Sequence, residues 1–492
     1  AGALLLDRLM RVGTAVAAEE AELLARICRQ LDGVPLALEL AAARSTTHGL
    51  ADIAAGLTDR FALLSATRRD AYPRQRTLDA SVRWSYDLLD PNEQRIFRHL
   101  AVFSGEFLVS DAVAVCPGPS ARTSSVVAAL VSQSLVGAAN SGRLRLLETI
   151  RAFAEDRLAE AGEVAAARDR HLDWVVDALA ALGPGFDGPD PARAMRSARQ
   201  LVNDARAAMH HAERSDRSIA MWNLLELLGW WFFYEGRLDE AADWYRRACE
   251  VDEDAPPPAA APGLVVGALL ATSRGDHDEI VESISRASNA AERCGDHRSC
   301  GRLLVLRGAH QAWHNPAAGN ELISAGRVVC ESTSDYVWAN WATCGAALAL
   351  MFLGRPADSL VELARAEQVA ASTGVRRLAL DAAARGCICE YLLGTWSDAE
   401  KTLLRGRELA AGLTSTSVTA CFDSVDASLL IERGRPDDAV ELMERAIERY
   451  LRVGELQFVP LFVETVARAH ISAGRASHVV QQLEDLRGHP GV

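Results

Sequence analysis

Six short phrases recur at a near-constant interval through the last two-thirds of this 492-residue chain. They are "YEGRLDEAADWY", "SRGDHDEIVESI", "FLGRPADSLVEL", "LLGTWSDAEKTL", "ERGRPDDAVELM" and "SAGRASHVVQQL". Their glycines are Gly236, Gly275, Gly354, Gly394, Gly434 and Gly474, spaced by 39, 79, 40, 40 and 40 residues. The doubled interval predicts a degenerate copy near residue 314, where "WHNPAAGNELI" stands. Each copy reads as two helices joined at the glycine. One such pair cannot bury its apolar face alone, so a fixed period of this size forces the pairs to stack.

The expected fold is therefore all-α, with an α-solenoid of tetratricopeptide type whose helices are longer than usual. Composition agrees. Apolar residues make up 49% of the chain, the balance of a helical globular protein. The net charge of -14 argues against wholesale nucleic-acid binding. Lys401 is the single lysine, so the chain contains no Gly-Lys-Ser/Thr and no Walker A loop. Ten scattered cysteines read as reduced, mostly buried small residues of a cytoplasmic protein. The uncharged run 255–273 carries four prolines and reads as a linker plus a helix rather than a membrane span. The chain opens at Ala1 inside a helical pattern, as a fragment or a processed product would.

Ahead of the repeats the pattern differs. Leu24, Ile27, Cys28 and Leu31 share one helical face. Gly33 then frees the backbone to end that helix, and Pro35 suits the first position of the next, "PLALELAAAR". Leu57, Phe61, Leu63 and Leu64 complete this helical segment, and "ATRRDAYPRQRT", broken by Pro73, reads as a linker. "TLDASVRWSYDLL" is predicted as a helix with Trp84 and Leu88 on one side. Asp90, Pro91 and Glu93 form the start of another, which carries Ile96, Phe97, Leu100 and Phe103 inward. A third helix is expected over about 124–133, followed by a hairpin around Asn140, Ser141 and Gly142. A last helix, from Glu148, stops at Gly162. These are the parts of a winged helix. The boundaries read as 1–70 for the first segment, 71–170 for the winged helix and 171–492 for the repeat array.

The series "ICRQLDGVPLALELAAAR", "RQRTLDASVRWSYDLLDPNEQRIFRHLAVFSGEF", "LVSQSLV" and "RLRLLETIRAFAEDRLAEAGE" resembles the later part of NB-ARC-type ATPases of the STAND class. It is similar to the actinobacterial LuxR- and SARP-like regulators that join such an ATPase to a winged helix and helical repeats. The likeness covers residues 1 to 170 closely and the array generically. It implies that the GxP turn lies against the adenosine of a bound nucleotide, with Gly33 and Pro35 as the cofactor-binding residues. Relatives place a Met-His-Asp motif where this chain has Leu146, Leu147 and Glu148, which puts a histidine-based phosphate sensor in doubt; Glu148 reads as an acid that caps its own helix in the first turn. Walker A and B would precede residue 1. ATP or ADP is therefore expected only together with an upstream P-loop module, and hydrolysis by this chain alone is not.

Residues 60 to 158 hold thirteen arginines against ten acids, yet the candidate reading helix, "TSSVVAALVSQ", offers only Gln133, with Arg122 just before it. DNA contact is thus expected through a separate domain. Cys294, His297 and Cys300, with His310 and His314 nearby, have no standard zinc spacing, so no metal site is assigned. The aromatic run 230–234 reads as inter-helix core. No catalytic residue is assigned and the chain is not expected to be an enzyme. The expected function is signal transduction in transcription, the array receiving a protein or small-molecule signal and the winged helix relaying it, with no membrane partner and with oligomerisation open. The alternative is a nucleotide-independent interaction scaffold of tetratricopeptide-like repeats.

Overall fold

The computed structural model describes residues 1–14, 20–31, 35–45, 48–55, 81–139, 142–186, 190–235, 237–252, 257–411, 416–453 and 459–487. The linker around Pro73, the group Leu57, Phe61, Leu63 and Leu64, and Gly33, Asn140, Ser141 and Gly236 lie outside them. Two compact units emerge. One is Ala1–Val175 with Gln200–His211, the other Val176–Arg199 with Ala212–Val492.

The first unit opens with α1 (Gly2–Arg11), α2 (Ala21–Gln30), α3 (Pro35–Arg44) and a short α4 over 50–55. Leu5, Leu9, Ile27, Leu31, Leu38, Ala41, Leu50, Ile53 and Trp84 form their common core. α3 is apolar nearly all round, as its sequence required, and Ala41, Ala42 and Ala43 are all buried.

A helix over 81–87, α5, leads into α6 (Pro91–His99). The expected capping box is present. Asp90 accepts from the backbone N–H of Asn92 at 2.7 Å and of Glu93 at 2.8 Å, while Glu93 accepts from the Asp90 N–H at 2.9 Å. Ile96, Phe97, Leu100 and Phe103 are all buried. One side chain was misplaced by the sequence. α5 ends before Leu88, which is exposed, and Leu89 is the residue turned into the core.

Then follow α7 (Val109–Val115), which the periodicity had not shown, and α8 (Ser120–Ser132). The hairpin pairs β1 (Gly137–Ala138) with β2 (Leu144–Arg145) in antiparallel register, Gly137 opposite Arg145. Phe107 extends it by bridging to Leu144. α9 (Glu148–Glu160) closes the winged helix, and Gly162 takes a φ of 69° at its end. Glu148 is its first residue and binds Arg151 at 2.7 Å rather than capping the backbone.

α10 (Val164–Phe186) and α11 (Pro191–Arg214) follow. Seven helix pairs come next. They are α12 (Ser218–Glu235) with α13 (Leu238–Val251), α14 (Ala261–Arg274) with α15 (His277–Cys294), α16 (His297–Ala312) with α17 (Pro316–Ser332), and α18 (Tyr336–Phe352) with α19 (Pro356–Thr373). The last three are α20 (Arg376–Leu392) with α21 (Trp396–Ala410), α22 (Thr416–Glu432) with α23 (Pro436–Val453), and α24 (Val459–Ser472) with α25 (Ala476–Arg487). Each first helix packs on its own partner and on the first helix of the next pair, which is the stacking of a tetratricopeptide-like solenoid. Gly275, Gly354, Gly394, Gly434 and Gly474 all take φ between 71° and 82°, the left-handed conformation that glycine adopts without steric cost. Trp231, Phe232 and Phe233 are buried, so that part of the aromatic run is core.

The degenerate copy is real and has its own packing. α16 and α17 reverse at Trp313–Asn315 with no glycine, and Asn315 caps α17 through the Ala318 N–H at 3.2 Å. The glycines are in the helix interface instead. A Cβ on Gly319 would stand 2.6 Å from the Ala312 backbone nitrogen. One on Gly308 would stand 2.8 Å from the Gly319 carbonyl, and one on Gly326 2.9 Å from the Gly301 carbonyl. Here the two backbones touch. Gly386, in α20, meets nothing closer than a Thr402 methyl at 3.8 Å. Gly319→Val is therefore expected to cost about 3 kcal/mol or more, because the helices must part. Gly386→Ala is expected to be neutral or to gain up to about 1 kcal/mol from helix propensity. Urea unfolding of the two variants checks both.

Candidate functional site

The cofactor-binding residues expected from sequence are Gly33 and Pro35. Pro35 is the first residue of α3 and is exposed. α3 itself is pinned by Glu39, which accepts from Arg8 at 2.9 Å, and by the buried Arg44, whose guanidinium donates to the Ser85 carbonyl. The proline thus presents a rigid apolar edge on a helix that one ion pair and one guanidinium–carbonyl hydrogen bond hold in place.

The winged helix contains an ionic seam that no local motif announced. Glu163, directly before α10, accepts from Arg98 through both oxygens at 2.8 and 2.9 Å. His99 reaches the same carboxylate at 3.0 Å, and Arg95 stands at 3.6 Å. The Arg98 hydrogen bonds hold Glu163 down to about 2, while burial pushes His99 down to about 4. The His99–Glu163 contact is therefore a hydrogen bond from a neutral ring at neutral pH. Deeper in the same unit, Asp204 is fully buried. It accepts from the Ser104 N–H at 2.7 Å and contacts His171 Nε2 at 3.0 Å, with Phe103 set edge-on to His171 and Trp174. The partners lie 33 to 100 residues apart, which is why pattern reading missed them.

The candidate DNA-reading helix, α8, buries Thr123, Val126, Val127 and Leu130. The side-chain oxygen of Gln133 is buried as well, and Arg122 stands 4.0 Å from Asp90. Among the described residues the Gln133 oxygen has no hydrogen-bond partner, and Arg122 stays more than half exposed, at the outer limit of an ion pair.

On the repeat array the first helices carry a line of charge. Arg302 donates to Asp335 at 2.7 Å, and Arg377 to Asp381 at 2.8 Å, the latter pair almost completely buried. Beside them Thr272, Val305, Trp313, Trp341, Leu348 and Arg385 line a crevice of about 40 Å³ running over α14, α16, α18 and α20. That volume admits a side chain, not a drug-sized molecule, whose sites run to about 300 Å³ or more. A larger cleft of about 480 Å³ opens between α13 and α15. Six of its charges are matched in pairs, Arg274 with Glu279 at 3.1 Å, Arg286 with Glu282 at 3.2 Å and Arg246 with Asp243 at 2.5 Å. Burial pushes the thiols of Cys116 and Cys344 up to about 12 and those of Cys330 and Cys421 up to about 11, so these four stay protonated. No described helix is long and apolar enough to cross a membrane.

No protein-family model matches the chain. It is similar to a protein of Mycobacterium tuberculosis (strain ATCC 25618 / H37Rv) named "Putative HTH-type transcriptional regulator", with 33% identity over 328 residues. That match covers 63% of this chain and 37% of the relative. An "Uncharacterized protein" of the same strain is 40% identical over 177 residues, 34% of this chain and 45% of its own length. The chain thus spans less than half the length of the curated relatives it matches. Among solved structures, a Signal Transduction ATPase with Numerous Domains with a tetratricopeptide repeat sensor, from Pyrococcus horikoshii, aligns with 96% of this chain and 70% of its own at a TM-score of 0.49 and 11% identity. A Rap protein complexed with Competence and Sporulation Factor aligns with 66% and 99% at 0.43 and 12%. At those scores the fold rests on the helix pairing described above, not on either likeness.

The ionic seam sets a pH dependence. The unfolded chain protonates His99 near its ordinary value of 6.5, whereas the folded chain resists until about pH 4. Stability is therefore expected to fall as pH drops through that window, by about 3 kcal/mol at most. Glu163 adds a further loss below about pH 4.5, where the unfolded carboxylate takes its proton and the folded one does not. Thermal melts from pH 7 to 4 are expected to show a shallower slope for His99→Gln than for the parent chain.

Proposed function

We propose that this chain is the relay and sensor part of an ATP-dependent transcriptional regulator of the STAND class. In this reading the α1–α4 bundle completes an NB-ARC-type nucleotide module whose P-loop lies upstream. The observation that carries it is the ordered succession of GxP segment, winged helix and helix-pair array, in a chain 33% identical over 328 residues to a relative named as an HTH-type transcriptional regulator. The array receives the signal. Its crevice along the first helices favours a protein or peptide partner that inserts a side chain near Trp313 and Trp341. The face of α8 that is turned into the domain, Thr123, Val126, Val127 and Leu130, supports a winged helix that packs and relays, leaving DNA to a separate domain. Nucleotide hydrolysis belongs to the parent protein, since this chain holds no Walker A lysine.

The test is ADP affinity of the chain extended to include its upstream sequence. Micromolar or tighter binding, weakened at least fivefold by Pro35→Ala, is the expected result. Binding unchanged by that substitution removes Pro35 from the site. No binding at all leaves the nucleotide-independent scaffold.

A further inference from the structure

His310 and His314 lie one helical turn apart, on the last turn of α16 and just beyond it. The sequence set them beside Cys294, His297 and Cys300. The fold selects a different third partner. His277, the first residue of α15, comes from the preceding pair, 33 residues before His310. Its Nδ1 stands 2.9 Å from His310 Nε2, and the ring of His314 lies 5.7 Å from that of His310 and 6.1 Å from that of His277. One ligand nitrogen from each of the three falls within 4.8 Å of the others. Among the described residues, this is the one group of three or more histidine, cysteine or acidic side chains brought together in that way.

We propose that His277, His310 and His314 form a three-imidazole site for a divalent transition metal of the zinc kind, its fourth position open to solvent. Two nitrogens bound to one tetrahedral zinc at about 2.0–2.1 Å stand about 3.4 Å apart. The closest pair here stands at 2.9 Å and all three nitrogens lie within 4.8 Å, so binding requires the rings to turn toward a common centre. His277 and His314 are exposed and free to turn, while the half-buried His310 fixes the centre. A 2.9 Å contact between two ring nitrogens needs a lone pair on one of them, and a lone pair is what a metal takes.

The surroundings favour a cation. His310 and His314 lie at the C-terminal end of α16, the negative end of its dipole, while His277 stands at the positive start of α15, where the nearby acids offset it. Asp276, Asp278 and Glu279 crowd the first turn of α15, with Asp276 spent on capping the Glu279 N–H and Glu279 partly offset by Arg274. An all-imidazole set selects zinc, copper or nickel over magnesium and calcium, which prefer oxygen ligands. A bound ion ties the start of α15 to the end of α16, and so clamps two successive repeats at their turns.

Zinc titration of the tag-free, chelator-treated chain by calorimetry tests this. One equivalent bound with micromolar or tighter affinity is expected, with no response to magnesium. His310→Ala and His277→Gln are each expected to weaken binding at least tenfold. The double variant Cys294→Ser, Cys300→Ser is expected to bind as the parent does, and the cobalt-loaded chain to lack thiolate charge-transfer absorption. The two outer histidines are exposed, so His277→Gln and His314→Gln should fold, which circular dichroism confirms. Failure to bind one equivalent, affinity indifferent to the histidine substitutions, or loss confined to the cysteine variant would each overturn the proposal.

Discussion

The array depends on chain reversals of constant geometry. A helix that ends in a left-handed residue leaves in a fixed direction, so the second helix of each pair returns at the same angle. Five of the phrase glycines hold that conformation within about 11° of one another. With direction settled, the pairs need only alanine, leucine and cysteine faces to stack. Such residues run through the buried clusters, as with Leu380, Ala383, Ala384, Cys387 and Leu403 around α20, where Phe422 and Val425 join them. The small domain ahead of the array is held differently. Charge does there what glycine does in the array: Glu163 gathers Arg98 and His99, and Asp204 gathers Ser104 and His171.

What could be read from the residues was either local or repeated. The Asp90–Glu93 capping box and the hairpin near Gly142 are set by neighbours within four or five positions, the glycine period shows through its repetition, and each stands where it was expected. Leu88 failed because the end of α5 decides which of two adjacent leucines faces inward, and no periodicity fixes a helix end. α7 escaped notice because seven residues hold too few turns to show a face. For the candidate site the limit was sharper. Pro35 could be placed at a helix start, but its neighbours could not be named. His277 and His310 meet only because consecutive turns stack, a fact of the assembled array rather than of either segment.

Near-exclusive use of arginine shapes the polar chemistry. A guanidinium can serve a carboxylate through two parallel hydrogen bonds and stay charged when buried, where an ammonium cannot do the first and resists the second. The Arg98–Glu163 fork and the Arg377–Asp381 pair inside α20 use those properties. Lys401 pairs with Asp398 on the open surface of α21.

The contact between α16 and α17 has a consequence for how such arrays change over generations. Solenoids lengthen and shorten when recombination duplicates or deletes whole units, and joints built from a turn glycine and alanine faces accept new neighbours readily. α16 and α17 are keyed to each other, since Gly301 and Gly308 fit only opposite Gly326 and Gly319. A crossover inside this pair would set a glycine-faced helix against an ordinary one and leave a gap, or set two ordinary faces in collision. Only exchange of the two helices together as a block would carry this contact intact.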